Sequence, residues 1–427
     1  MAGRADAEAG GAAVTRRRAL LGGAAAAGVA ALAAPAVHAQ GPVTLRFVGT
    51  AVNQHQGIKD KVREDLGVNL EYIAVTSDDV VRRAVTQPNS FDLMDLEVWM
   101  ARRVLPTGNL AGLDAKRIKL ADEITPALTR GEIGGRKLGA QGLAPWKILY
   151  LEGRESKGFA NKQTEWLTII PTVYNADTLG IRPDRVGRPI ESWAELLNPD
   201  FRGRASILNV PAIGIMDAAM AVEAGGRHRY ADKGNMTRAE IDLTMAALTE
   251  AKRAGQFRAF WRDFNESVNL MASGEVVIQS MWSPAVAKVR SMGVPCVYQP
   301  LKEGYRAWAQ GMGIPRTTTG RRLDAAYEFI NWFLSGWAGA FLNRQGYYSA
   351  VLSTAQKHME PYEWAFWMEG KPAERDIRAP DGTVMEKAGA VRDGGSFEQR
   401  MGSVACWNAV MDENDYMVRK WNEFIAA

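Results

Sequence analysis

Sulfur and imidazole are nearly missing from this chain of 427 residues, which has two cysteines and four histidines. In an oxidising compartment Cys296 and Cys406 could pair; otherwise they stand as separate buried thiols. His55, His228 and His358 have no second histidine at metal-ligand spacing and no cysteine beside them, so no metal and no cofactor are expected. Strong charge is missing too: a formal net charge of +4 is no nucleic-acid footprint. Beyond the first forty residues no run is apolar enough to cross a bilayer. There is no Gly-x-Ser-x-Gly elbow, no His-Glu-x-x-His and no phosphate loop. A Ser-His-Asp triad is assembled in space and escapes motif search, but so few histidines argue against an enzyme.

The N-terminus does carry a pattern. Thr15-Arg16-Arg17-Arg18-Ala19-Leu20-Leu21 precedes an Ala/Gly/Val/Leu run that closes on Val37-His38-Ala39. Adjacent arginines, a weakly apolar stretch and small residues at −3 and −1 read as a twin-arginine export signal over 1–39, cleaved before Gln40. The alternative is an uncleaved anchor, for which the run is short and poor in large apolar residues. Its four arginines face only Asp6 and Glu8, so the rest keeps +2 of the chain's +4. A periplasmic protein, monomeric and without nucleic-acid partners, is expected.

The remaining length exceeds what one core usually supports and favours two lobes. VTLRFVGT (43–50), VNLEYIAV (68–75) and FDLMDLEVW (91–99) read as strands. The helical patterns between them carry Ile58, Val62 and Leu66, then Val80, Val81 and Ala84 behind a Ser77-Asp78-Asp79 cap. That alternation indicates an open parallel α/β sheet, whose ligands sit beyond the carboxyl ends of the strands, near Thr50, Glu97 and Trp99. WLTIIPTVYNAD (166–177) is extended and suits a crossover to a second lobe. Helices are expected over 213–226, over 237–254 with a Thr237/Glu240 capping box, over 322–334 and from Asp412 onward.

The stretch from Ser273 to Pro315 reads as one wall and the return crossover of a cleft. Trp282 follows a strand at a Trp-Ser-Pro turn, and Trp308 lies in a run too glycine-rich for a helix. Trp99 and Tyr347 also follow strands or turns instead of completing helical stripes. Rings beside a carboxylate such as Glu97 suit an ammonium group, through cation–π attraction and charge neutralisation. Each ring can equally be a core residue, as most tryptophans are.

At FDLMDLEVW, ESWAELLNPDFRG, SGEVVIQSMWS, EGYRAWAQGMGIP with the helix DAAYEFINWFL, and RQGYY, the chain resembles the spermidine/putrescine-binding proteins of ABC importers. The resemblance implies the type II periplasmic-binding-protein fold, with two α/β lobes, each a mostly parallel sheet flanked by helices. Crossover strands join the lobes, which close on ligand by hinge motion. It implies lobe 1 over 40–168, lobe 2 over 169–302, a return to lobe 1 over 303–352, and C-terminal helices over 353–427 packing mainly on lobe 2. Its partners would be a small solute, an inner-membrane permease and a cytoplasmic ATPase.

By the same resemblance Trp282, Trp308, Tyr347 and Trp99 fall on aromatic ligand contacts, and Glu97 on a nearby polar one. Gln310 stands where polyamine binders hold a carboxylate, Asn209–Gly214 replaces an acidic run, and Thr50 and Ala51 replace an aromatic and a hydroxyl. Burying an ammonium without its counter-charge costs about 3–5 kcal/mol. The expected solute is therefore a polyamine-related or smaller polar molecule with at most one cationic end, and Glu97 is the only evident anion. Other readings are a ligand-presenting partner of a periplasmic sensor, an enzyme on the same scaffold, or an iron site at Tyr347-Tyr348, which lacks evident further ligands.

Overall fold

A computed structural model describes residues 41–427; the expected export signal lies outside the described residues. Apolar β-branched runs form the strands and amphipathic stretches the helices, in alternation. The first such series is β1 (Thr44–Gly49), α1 (Gln56–Leu66), β2 (Asn69–Ala74), α2 (Ser77–Thr86) and β3 (Leu93–Glu97). The N-cap of α2 is Thr76, whose hydroxyl accepts from the Asp79 amide at 3.3 Å, one residue before the cap expected at Ser77. A long strand β4 (Ile170–Ile181) then leads to β5 (Ala205–Leu208), α3 (Pro211–Ala224), α4 (Arg238–Arg253) and β6 (Phe257–Trp261). Thr237 and Glu240 cap α4 reciprocally, as the capping-box spacing requires. After α5 (Phe264–Ser273), β7 (Ile278–Met281) and α6 (Ser283–Ser291), the chain returns through β8 (Tyr305–Gly313) to α7 (Gly320–Leu334). It ends with β9 (Val404–Trp407) and α8 (Asn414–Ala426).

The strand order is β6-β5-β7-β4-β8-β3-β1-β2. At each end is a parallel triplet, β2-β1-β3 and β6-β5-β7. Between them β4 and β8 run antiparallel to each other and to their outer neighbours. This is the expected pair of mostly parallel sheets joined by crossover strands. β4 changes partners along its length: Ile170–Asp177 pairs with β8, and Thr178–Ile181 with β7.

Two main cores follow that division. Phe47, Val62, Leu93, Val173, Phe329 and Phe333 belong to the first; Leu179, Trp193, Ile207, Met216, Leu248 and Trp421 belong to the second. The 353–427 segment divides between them and does not pack mainly on the second lobe. Phe366, Trp367, Phe397 and Met401 join the first core, whereas Met417, Trp421 and Phe424 of α8 join the second. The cause is compositional: two separate aromatic clusters are split by β9, which pairs with β8. Cys296 and Cys406 are separate buried thiols. No helix among the described residues is long and apolar enough to cross a membrane.

α8 docks on α3 where the latter lacks a side chain. A Cβ at Gly214 would lie 2.3 Å from the Trp421 ring and 2.4 Å from the Leu208 carbonyl oxygen. Gly214→Val is therefore expected to lower stability by about 1–3 kcal/mol in denaturant melts; an unchanged midpoint would show that α8 is not seated there.

Candidate functional site

Strand register assembles the site. Gln310 faces Glu97 on β3 and Val173 on β4; Trp308 faces Asn175, and Arg306 faces Asp177. Side chains alternate along a strand, so Arg306, Trp308 and Gln310 share one face with Asp177, Asn175 and Glu97. One large ring, a guanidinium and several carboxyl and amide groups thus converge on the crossover pair.

At the first-lobe end Gln310 is 1% exposed and donates from Nε2 to Asp95 Oδ2 at 3.0 Å and to Thr50 Oγ1 at 3.3 Å. Asn53 Nδ2 donates to the other Asp95 oxygen at 2.8 Å. Burial pushes the Asp95 carboxyl up to about 7 against the pull of those two amides. Glu97 is also held above its ordinary range by burial, although both of its oxygens accept hydrogen bonds. Ser77 Oγ donates at 3.2 Å to Oε1, while Trp99 Nε1 at 2.5 Å and Asn408 Nδ2 at 3.2 Å donate to Oε2.

At the second-lobe end Arg306 is buried between acids. Its Nε donates to Asp217 Oδ1 at 2.6 Å, Nη1 to Asn408 Oδ1 at 2.7 Å, and Nη2 lies 3.6 Å from Asp177 Oδ2. Burial opposes the Arg306 charge, but Asp217 and Asp177 outweigh it and hold the guanidinium above its ordinary pKa. Burial raises Asp177 to about 6, with Arg306 and the Tyr298 hydroxyl acting the other way. Asn408 therefore links Arg306 to Glu97.

The aromatic residues separate into three places. Trp308 and Tyr347 are half-buried and meet edge to face at 5.8 Å. Asn175, opposite Trp308, donates to Ser283 Oγ at 3.0 Å and to the Gly346 carbonyl at 3.1 Å, bringing α6 and the segment before Tyr347 beside the rings. Trp282 turns its ring onto Trp261 at 4.8 Å and reaches the group only through its neighbour Ser283. Trp99 is 2% exposed and lines a separate cavity of about 710 Å³. Arg103 of the first lobe, Val210 and Pro211 at the start of α3, and Arg419 and Asn422 of α8 line it as well.

The expectation that Glu97 is the only acid here is corrected: Asp95, Asp177 and Asp217 stand beside it. Asp95 was legible, because it lies two residues before Glu97 in a strand and must share its face. Asp217 was signalled by being the one acid in the apolar run IGIMDAAMAV. Arg306 and Asn408 gave no local signal, since beyond each other their partners Asp217, Asp177 and Glu97 come from three separate segments. Asn209–Gly214, where acids were expected to be missing, supplies the apolar start of α3 and part of the larger cavity.

The family model of bacterial extracellular solute-binding proteins matches residues 58–359. A spermidine/putrescine-binding periplasmic protein of Escherichia coli is 22% identical over 311 residues, 72% of this chain and 77% of that protein. A putative spermidine/putrescine ABC transporter structure from Listeria monocytogenes superposes with TM-score 0.61 at 12% identity, covering 90% of this chain and 98% of that one. The structure of a GABA receptor superposes with TM-score 0.58 at 19% identity, covering 89% and 97%.

Asp95 offers a direct test of the buried acids. The folded chain keeps its proton to about 7, whereas the unfolded chain releases it near 3.8. Between pH about 4 and about 7 the native state binds more protons, so this group's contribution to stability falls as pH rises. Asp95→Asn is expected to gain stability relative to the wild type across that window and to keep a constant lead above it. Melts from pH 4 to 8 check this; a lead that shrinks with pH refutes it.

Proposed function

Because the chain belongs to the bacterial extracellular solute-binding proteins, we propose that it is the periplasmic substrate-binding component of an ABC importer. It captures a small polar organic amine between its lobes and delivers it to an inner-membrane permease. The observation that carries this reading is the half-buried pair of Trp308, on crossover strand β8 beside Asn175 and on the face of Gln310, and Tyr347, which packs against its ring. Faces and edges of two rings at right angles suit a methylene chain bearing an ammonium group. Thr50, Gln310 and Glu97 supply polar groups toward the first lobe, whereas Trp282, packed on Trp261, and Trp99, in the separate cavity, stand away from the pair.

The acids support a solute with at most one cationic end. Glu97 already accepts from three donors, Asp95 is held near neutrality by burial, and Asp177 shares Arg306 with Asp217. Gln310 stands where the resemblance places a gripping carboxylate. The relatives span that choice: one is named for spermidine and putrescine, and another is a receptor for GABA, which has a single amine. Export by the twin-arginine route agrees with the N-terminal pattern and the family.

Two measurements test this. In thermal-shift assays a linear mono-amine with a neutral or anionic tail is expected to stabilise the protein more than spermidine or putrescine; the reverse order overturns the charge argument. Trp308→Ala is expected to weaken binding of whichever solute stabilises the protein at least about tenfold, or 1.4 kcal/mol, with little loss of stability. Trp193→Ala, at a fully buried core position, is expected to cost about 3–5 kcal/mol and serves as the contrast. A Trp308 variant that melts like the Trp193 variant would assign Trp308 to the core.

A further inference from the structure

A second, smaller cavity lies next to the crossover strands, and the cleft reading does not use it. It holds about 40 Å³ and is lined by Ser283, Tyr298, Gln345, Trp367, Arg392 and Arg400, among others. A water needs about 10–15 Å³ by this measure, so there is room for a few waters or one small ion. The charges are uneven. Glu386 and Asp393 also line the cavity and share one cation, Arg290, so the three lining arginines exceed the two acids by one charge. Arg392 and Arg400 are 6% and 3% exposed, and among the described residues neither has a carboxylate in ion-pair contact. Arg392 donates to the Trp367 carbonyl at 2.6 Å and lies over the Tyr348 and Trp367 rings. Arg400 donates from Nη2 to Asn175 Oδ1 at 3.2 Å and to the Ala176 carbonyl at 2.8 Å.

The unmet hydrogen-bonding capacity around the cavity includes three N–H donors, beside the Tyr305 and Tyr348 hydroxyls, which can donate or accept. Arg400 Nε, Trp367 Nε1 and Gln345 Nε2 are buried and have no partner among the described residues, and the Tyr305 hydroxyl beneath Arg400 has none. Buried N–H groups are nearly always satisfied, and a buried cation without a counter-charge is costly. Burial, reinforced by Arg400, holds the Arg392 pKa below its ordinary value despite the neighbouring tyrosines, whereas for Arg400 the tyrosines and Asp177 outweigh burial and hold it above. One excess positive charge and three unpartnered N–H groups on one small cavity call for a negative occupant.

We propose that this cavity binds one small monovalent anion, of halide size, held by Arg392, Arg400, Trp367 Nε1 and Gln345 Nε2. The anion completes the charge balance of the segment that links the first core to α6 and β4. It is independent of what the cleft carries. Crystals of the mature protein soaked in bromide are expected to show an anomalous peak within hydrogen-bond reach of Trp367 Nε1 and Arg400 Nε. At matched ionic strength, chloride is expected to raise the melting temperature over gluconate by about 1–3 °C. Trp367→Phe, which keeps the ring packing and removes the N–H, is expected to lose that difference and weaken the peak. A wild-type cavity without anomalous signal, or equal melting in both salts, overturns the proposal and leaves water as the occupant.

Discussion

The guanidinium of Arg306 sits at the place where β4 exchanges one set of neighbours for another, and Asp177, the residue of that exchange, faces it across the strand pair. Asp217 reaches the same group from α3 of the second lobe, and Asn408 reaches it from the residue after β9. Four segments of the chain thus meet on one buried cation. Such an arrangement is weak evidence of net stabilisation, because desolvation offsets much of the Coulomb gain. Its effect is on specificity: any register of β4 against β8 other than the observed one would separate Arg306 from Asp177 and bury unpaired charge.

The site inherits its order from that constraint. With Arg306 fixed, alternation places Trp308 and then Gln310 on the same face, each one step closer to the first lobe. Beside the rings Asn175 joins the Ser283 hydroxyl of α6 to the Gly346 carbonyl, while the acids beyond them are already engaged or held near neutrality. The surface therefore reads as apolar, polarisable and rich in amides, with its negative charge largely committed inside the protein.

Much of this was legible in the chain. The first three strands, the capping box at Thr237, the crossover near 166–177 and the return through Trp308 follow from period, caps and breakers. Pairing was not legible. Nothing local to Arg306 names Asp217 as its partner, and nothing local to Trp282 says its ring will rest on Trp261 instead of beside Trp308. The aromatic-rich stretch after Tyr348 resisted reading because its regular elements are short and its rings serve two cores, so neither helical nor strand period persists. The acid at 95 is written into the alternation of its strand, two residues before Glu97 and on the same face.

β4 is buried at all twelve of its positions and belongs to both sheets. A loop joining two bodies swivels freely, because water can satisfy its backbone whichever way it turns. This strand cannot do so without breaking ladders on both sides. Any relative movement of the two halves would therefore have to be taken up as twist along Ile170–Ile181, against the ladders on both sides. Substitutions in that strand on the face away from Asn175 and Asp177 would retune how readily the halves part while leaving the Trp308–Tyr347 pair untouched.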